Sequence, residues 1–223
     1  CSRNERRARK NERTNSQRFI TSNITYIRHT TMPNKLILFC GPSGSGKTTI
    51  VKYLLANSTR LTFSVSATTR QKRTTEIDGK DYHFISVDDF KKHISNNDFI
   101  EWEEVYTNGY YGTLKADVDA HLKNNKVVLF DVDVEGGLNI KKYFGENLLA
   151  VFVQPPSVIE LEHRLIARQS ESAESLKKRL AKASLELTYA NRFDKVLIND
   201  NLETALWHAQ KMVEDFTGFS LNA

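Results

Sequence analysis

The sequence predicts an α/β fold, a parallel sheet flanked by helices, on three observations. From Met32 onward, apolar strand-like runs alternate with helical patterns. The runs are continuously apolar rather than alternating, as in strands buried on both faces. Between the first run and the helical pattern after it lies Gly41-Pro-Ser-Gly-Ser-Gly-Lys-Thr48, in the spacing G-x-x-x-x-G-K-[ST].

Residues 1–31 come first and stand apart. They hold eight Lys and Arg (Arg3, Arg6, Arg7, Arg9, Lys10, Arg13, Arg18, Arg28) against Glu5 and Glu12, whereas the remaining residues hold 24 basic and 25 acidic groups. The chain's net charge of +5 therefore belongs to a polar head with little periodicity, which the composition predicts to be a disordered extension. A solvated tail or an over-long translation starting before Met32 is one reading; a nucleic-acid arm or a targeting segment is the other. The body itself gives no charge argument for nucleic acid.

Leu36–Cys40 is the first strand, and Ile50, Val51, Leu54 and Leu55 follow the glycine loop at helical spacing. Glycines let successive backbone N–H groups turn inward around phosphate oxygens, and the helix start adds its positive end. A nucleoside triphosphate is thus the first ligand to consider, with Lys47 reaching the β- and γ-phosphates and the Thr48 hydroxyl on Mg²⁺. Further strands are expected at Leu61–Val65, Val127–Asp131, Leu149–Val153 and Val196–Ile198. Two interruptions break the rhythm. Ser66–Thr113, with its Arg/Thr-rich turn, Asp78-Gly79, aromatic segments and Asn108-Gly109, reads as an inserted, largely β-type lobe. Ser157–Arg192, after Pro155-Pro156, reads as helical and charged, broken at Gln169–Ser172.

Hydrophobic residues at 39% and charged residues at 26% suit a water-soluble globular body, and no apolar run approaches the roughly 20 residues of a membrane span. Two cysteines, Cys1 and Cys40, fit a reducing cytoplasm, with Cys40 a packing residue. The six histidines lack metal-ligand spacing.

Ligands of open α/β sheets bind beyond the carboxyl ends of the strands. The residues there are the glycine loop, Ser66 to Arg73, Asp131 with Asp133, and Asn199 with Asp200. Val127-Val-Leu-Phe-Asp131 ends an apolar strand in a carboxylate, the usual partner of a phosphate loop at Mg²⁺. Arg70 and Arg73, three apart, are placed to clamp a second anion, although a solvated basic loop has the same composition.

Taken together, Gly41–Thr48, Ser66-x-x-x-Arg70-x-x-Arg73-x-x-Glu76, Gly79–Tyr82, Phe99–Trp102, Tyr110–Thr113, Asp131-Val-Asp133 and Arg164-x-x-x-Arg168 resemble the guanylate kinase pattern in order and spacing, across residues 32–223. The resemblance implies a P-loop nucleotide-kinase core, an inserted GMP-binding lobe at 66–113 and a lid with its following helix at about 157–192. It implies an ATP- and Mg²⁺-dependent transfer to GMP, and to dGMP. ATP would lie on Gly41, Pro42, Ser43, Gly44, Ser45, Gly46, Lys47, Thr48 and Thr49, with Asn199 and Asp200 as candidates for the adenine. The GMP set would be Ser66, Arg70, Arg73, Glu76, Tyr82, Glu101, Tyr111, Thr113 and Asp133. Thr48 and Asp131 would hold the metal, and Lys47, Arg164, Arg168 and Arg179 would act on the transferring phosphoryl group. Glu101 suits guanine because a carboxylate accepts from the adjacent N1–H and 2-amino donors, which adenine lacks.

Three positions depart from the family pattern: Glu135 stands where glutamine is common, Gln169 where glycine is frequent, and the Val105–Tyr110 turn is one residue longer. Two rivals remain at this level. A non-catalytic module of the same fold would bind protein partners, and a related kinase would prefer another nucleotide. The sequence leaves monomer or homodimer open.

Overall fold

The computed structural model describes residues 35–167 and 173–221. Its centre is a five-stranded sheet of β1 (Leu36–Cys40), β2 (Leu61–Phe63), β7 (Val127–Asp131), β8 (Leu148–Gln154) and β9 (Lys195–Ile198), in the order β2-β7-β1-β8-β9. Every pairing in it is parallel, as the unbroken apolar runs predicted. The expected second strand ends earlier, at Phe63 rather than Val65, and β8 extends one residue beyond each end of its predicted range.

Strand β1 shows why the sheet is covered on both faces. Its odd-numbered residues Ile37 and Phe39 join Ile50, Leu54, Leu129 and Val151 in one core cluster. Its even-numbered residues Leu36, Leu38 and Cys40 join Val128, Phe130, Ala150 and Phe152 in the other. Side chains alternate across a strand, so five consecutive apolar residues require apolar layers above and below. Helices α1 (Lys47–Ala56) and α7 (Leu202–Thr217) contribute to the first layer, and α3 (Lys115–Lys123) and α4 (Val134–Phe144) to the second.

The insertion forms a second sheet, β4-β3-β6-β5, from β3 (Ala67–Thr68), β4 (His83–Phe84), β5 (Phe99–Tyr106) and β6 (Gly109–Leu114). The long β5–β6 hairpin turns at Asn108, whose φ of 60° is the left-handed conformation Asn tolerates. The lobe is not purely β. Helix α2 (Val87–Ser95) packs Phe90 against Phe99 and Tyr110, and Ser86 caps it by accepting from the Asp89 N–H at 3.0 Å. Helices α5 (Val158–Ala167) and α6 (Ala173–Leu187) form the second interruption and meet through Leu161, Leu165 and Ala183. The predicted break Gln169–Ser172 lies outside the described residues.

Candidate functional site

The carboxyl ends of β1 and β7 open onto a cleft of about 390 Å³ whose far wall belongs to the inserted lobe. On the core side it is lined by Ser43, Gly44, Gly46, Lys47, Thr48 and Thr49, with Asp131 and Asp133. On the lobe side stand Ser66, Tyr82, Glu101 and Tyr111.

The glycine loop is shaped by close contacts. Gly41 has φ 141°, and a Cβ there would lie 2.3 Å from the Val153 carbonyl oxygen. Gly46 has φ 99°, and its Cβ would lie 2.2 Å from Asn199 Nδ2. Neither position admits a side chain without moving backbone or unplugging Asn199. Lys47 Nζ donates to the Gly41 carbonyl at 2.7 Å and to that of Pro42 at 3.2 Å, so the ammonium is folded over its own loop. Ser45 Oγ is buried in the same loop with no hydrogen-bond partner.

Thr48, in the first turn of α1, donates its hydroxyl to Asp131 Oδ2 at 2.5 Å. The pair brings one hydroxyl and one carboxylate together at the mouth of the phosphate loop. That donor set fits Mg²⁺, which takes few protein oxygens and completes its shell with phosphate oxygens and water. Among the described residues no group of three or more His, Cys, Asp or Glu could hold a metal.

In the lobe, Arg70 forms a two-pronged pair with Glu76, Nη1 to Oε2 at 2.7 Å and Nη2 to Oε1 at 2.5 Å, while its guanidinium lies over the rings of Tyr82 and Phe84. Tyr82 meets Tyr111 edge-on at 6.0 Å. Glu76 also accepts from the Arg73 backbone N–H at 2.8 Å, and the Arg70 guanidinium holds its carboxyl down at about 2. Both Glu76 oxygens are thus occupied, by the Arg70 guanidinium and the Arg73 backbone N–H, a geometry that braces Arg70. The Arg73 side chain is exposed.

Glu101 projects from β5 into the cleft. Its Oε1 accepts from the Thr113 hydroxyl at 2.6 Å, and its Oε2 lies 3.2 Å from where a Gly136 Cβ would stand, over the first turn of α4. Burial pushes its carboxyl up to about 7, the Thr113 hydrogen bond opposing and the Asp133 charge adding. Thr113 is fully buried behind it and orients it rather than facing the cleft. Asp133 caps α4, its Oδ1 accepting from the Gly136 N–H at 3.0 Å.

The two residues after β9 separate. Asn199 is buried, and its Nδ2 donates to the Ser45 carbonyl at 2.8 Å, so its side chain braces the phosphate loop. Asp200 lines a different, shallow cavity of about 510 Å³ between β9 and α7. Arg164 is held in the last turn of α5, Nε to Glu160 Oε1 at 2.9 Å and Nη2 to the Asn199 carbonyl at 3.0 Å. Arg179 lies on α6, and Arg168 lies outside the described residues.

Two residues at or beside the cleft were missed from the sequence. Glu103 lines the cleft two positions beyond Glu101. The α6 residue Lys182 reaches Asp133 Oδ2 at 3.3 Å. The strand period offered a signal for Glu103; Lys182 had none.

With this geometry established, comparison with known proteins is decisive. The family model described as guanylate kinase matches residues 33–216. The chain belongs to the guanylate kinase family. It is 53% identical over 190 residues to the guanylate kinase of Bacteroides fragilis, covering 85% of this chain and 93% of that one. It is 45% identical over 183 residues to that of Porphyromonas gingivalis, covering 82% and 97%. Among solved structures, the guanylate kinase of Anaplasma phagocytophilum superposes with a TM-score of 0.66 at 26% identity, over 86% of this chain and 89% of that one. The chain is therefore a kinase, with the fold of its family. No helix among the described residues is long and apolar enough to cross a membrane.

Proposed function

We propose that this guanylate kinase family member transfers the γ-phosphoryl group of ATP to the phosphate of GMP, and of dGMP, in purine nucleotide metabolism. The observation that carries the reading is a single cleft with two opposed anion cradles. One is the loop Gly41–Thr48 with Lys47; the other is Tyr82 and Tyr111 on the opposite wall beside Glu101, with the Arg70 guanidinium over the Tyr82 ring.

In this reading an ionised phosphate oxygen of GMP attacks the γ-phosphorus in line as the bond to the β–γ bridging oxygen breaks, leaving the electron pair on ADP. The acceptor is already an anion, so no general base is required, and positioning with charge neutralisation carries the catalysis. Lys47 leaves the Gly41 and Pro42 carbonyls for the β- and γ-phosphates, and Thr48 with Asp131 would hold Mg²⁺. That ion, when bound, neutralises phosphate charge. Arg70, braced by Glu76, takes the GMP phosphate together with Arg73, Tyr82 and Tyr111. Glu101, oriented by Thr113, pairs with the guanine N1–H and 2-amino donors; Ser66 and Asp133 border the same base. Arg164 is released from Glu160, and with Arg168 and Arg179 it closes on the transferring group and excludes water. A reducing, cytoplasmic setting accords with Cys40 as a free buried thiol.

A coupled assay of ADP release with GMP, AMP, CMP, UMP and dTMP tests the proposal. Turnover strongly favouring GMP is expected. Folded protein without turnover would leave a binding module of the same fold, and preference for another base would remove the guanine assignment to Glu101.

A further inference from the structure

The wall of the cleft beside Glu101 is crowded with acid. The hypothetical Gly136 Cβ stands 3.2 Å from Glu101 Oε2 and 3.4 Å from Asp133 Oδ1, so these two carboxylates flank the same backbone point. Glu103 lines the cleft on the same strand and feels Asp133 and Glu135. Behind them Glu186 is 7% exposed on α6. Lys182 reaches into this group: Nζ is 3.3 Å from Asp133 Oδ2 and 3.7 Å from Glu186 Oε1, and its charge opposes the upward shift that burial and Asp133 impose on Glu103.

The connection is also mechanical. Lys182 belongs to α6, the helix packed against α5 through Ala183, Leu161 and Leu165, whereas Asp133 caps α4 of the core and Glu103 belongs to β5 of the inserted lobe. One ammonium thus ties α6 directly to Asp133, the cap of α4, and its charge also acts on Glu103 of β5. A lysine holds such a cluster as a compact charge on a flexible stem, and its absence leaves like charges facing one another at short range.

We propose that Lys182 is a positioning residue for the acceptor nucleotide: by neutralising Asp133 and Glu103 from α6, it sets the carboxylate array that meets the guanosine half of the substrate and ties that array to the helix that follows the lid. The inference rests on the proposed GMP kinase reading and deepens it. It assigns to Lys182 no contact with the reacting atoms. Its loss is therefore read in acceptor affinity, not in donor affinity or chemistry. The expected size is modest because the lysine is half exposed and solvent screens the pair.

The test is steady-state kinetics of full-length Lys182→Met, Lys182→Arg and the double variant Lys182→Met with Glu103→Gln, alongside thermal melting. Lys182→Met is expected to raise the KM for GMP about fivefold, with KM for ATP and kcat within twofold of the parent. Lys182→Arg should restore most of the loss, and Glu103→Gln should rescue the Lys182→Met protein by removing the facing charge. If Lys182→Met raises both KM values equally, or leaves the KM for GMP unchanged, the inference falls. If Glu103→Gln gives no rescue in a well-folded double variant, it falls as well. Failure of the parent protein itself to phosphorylate GMP would instead overturn the functional reading.

Discussion

Lowering pH should weaken GMP binding through a single buried carboxyl. Burial raises Glu101 to about 7, and guanine's N1–H and 2-amino donors require the ionised form. If only the carboxylate binds, protonation multiplies the KM for GMP by about 1.1 at pH 8, 2 at pH 7 and 11 at pH 6, a tenfold rise worth about 1.4 kcal/mol. The phosphate of GMP also titrates near pH 6, which adds roughly a factor of two. Glu101→Gln separates the contributions. It removes the carboxyl titration, keeps the phosphate's, and raises the KM for GMP at pH 8 by about 100-fold because an amide N–H₂ now faces a donor. The assay is the coupled turnover measurement at pH 6 to 8 with saturating ATP, and again with GMP saturating and ATP varied. Parent and Glu101→Gln proteins sharing the same pH slope in KM for GMP would refute the assignment. The stability sign is opposite. An acid whose folded value is raised favours the fold below its ordinary value near 4.5, and that advantage is lost as pH rises through about 7. Glu101→Gln should therefore raise Tm more at pH 8 than at pH 5.

Three further outcomes follow from the same site. Lys47→Ala should fold with a loss of about 1 kcal/mol from its two loop hydrogen bonds, while kcat falls by roughly 10² or more; near-normal kcat would remove Lys47 from the chemistry. Asn199→Ala leaves the Ser45 carbonyl without its side-chain donor and should cost about 1–3 kcal/mol in chemical denaturation. It should weaken ATP and GTP as donors alike, whereas altered discrimination between them would mark Asn199 as an adenine reader. Glu76→Gln loosens the Arg70 clamp and should raise the KM for GMP several-fold, evenly from pH 5 to 9, because the carboxyl it replaces titrates at about 2. A pH-dependent effect in that window would mean another group is responsible.

What was legible in the sequence was what neighbouring residues determine. Loop Gly41–Thr48 announces itself because its glycines, lysine and threonine act within eight positions, and β1 because its burial on both faces needs every residue apolar. The cap that starts α2, Ser86 accepting from the Asp89 N–H, is just as local, yet the reading of 66–113 as largely β-type did not include it. Direction was not legible. Asn199 was correctly placed after the last strand, yet on which side of the loop its amide lies depends on Gly46, 153 positions earlier, having no side chain to exclude it. Glu76 was legible as a position in the family pattern, but its partner was not: a carboxylate and a phosphate can each take the Arg70 guanidinium, and only the two-pronged pair shows Glu76 on it. Glu103 and Lys182 show the same limit from the other side. Their charges make sense only when β5, α4 and α6 converge, so Glu103, absent from every local motif, lines the cleft while Glu76, which belongs to one, is turned to Arg70.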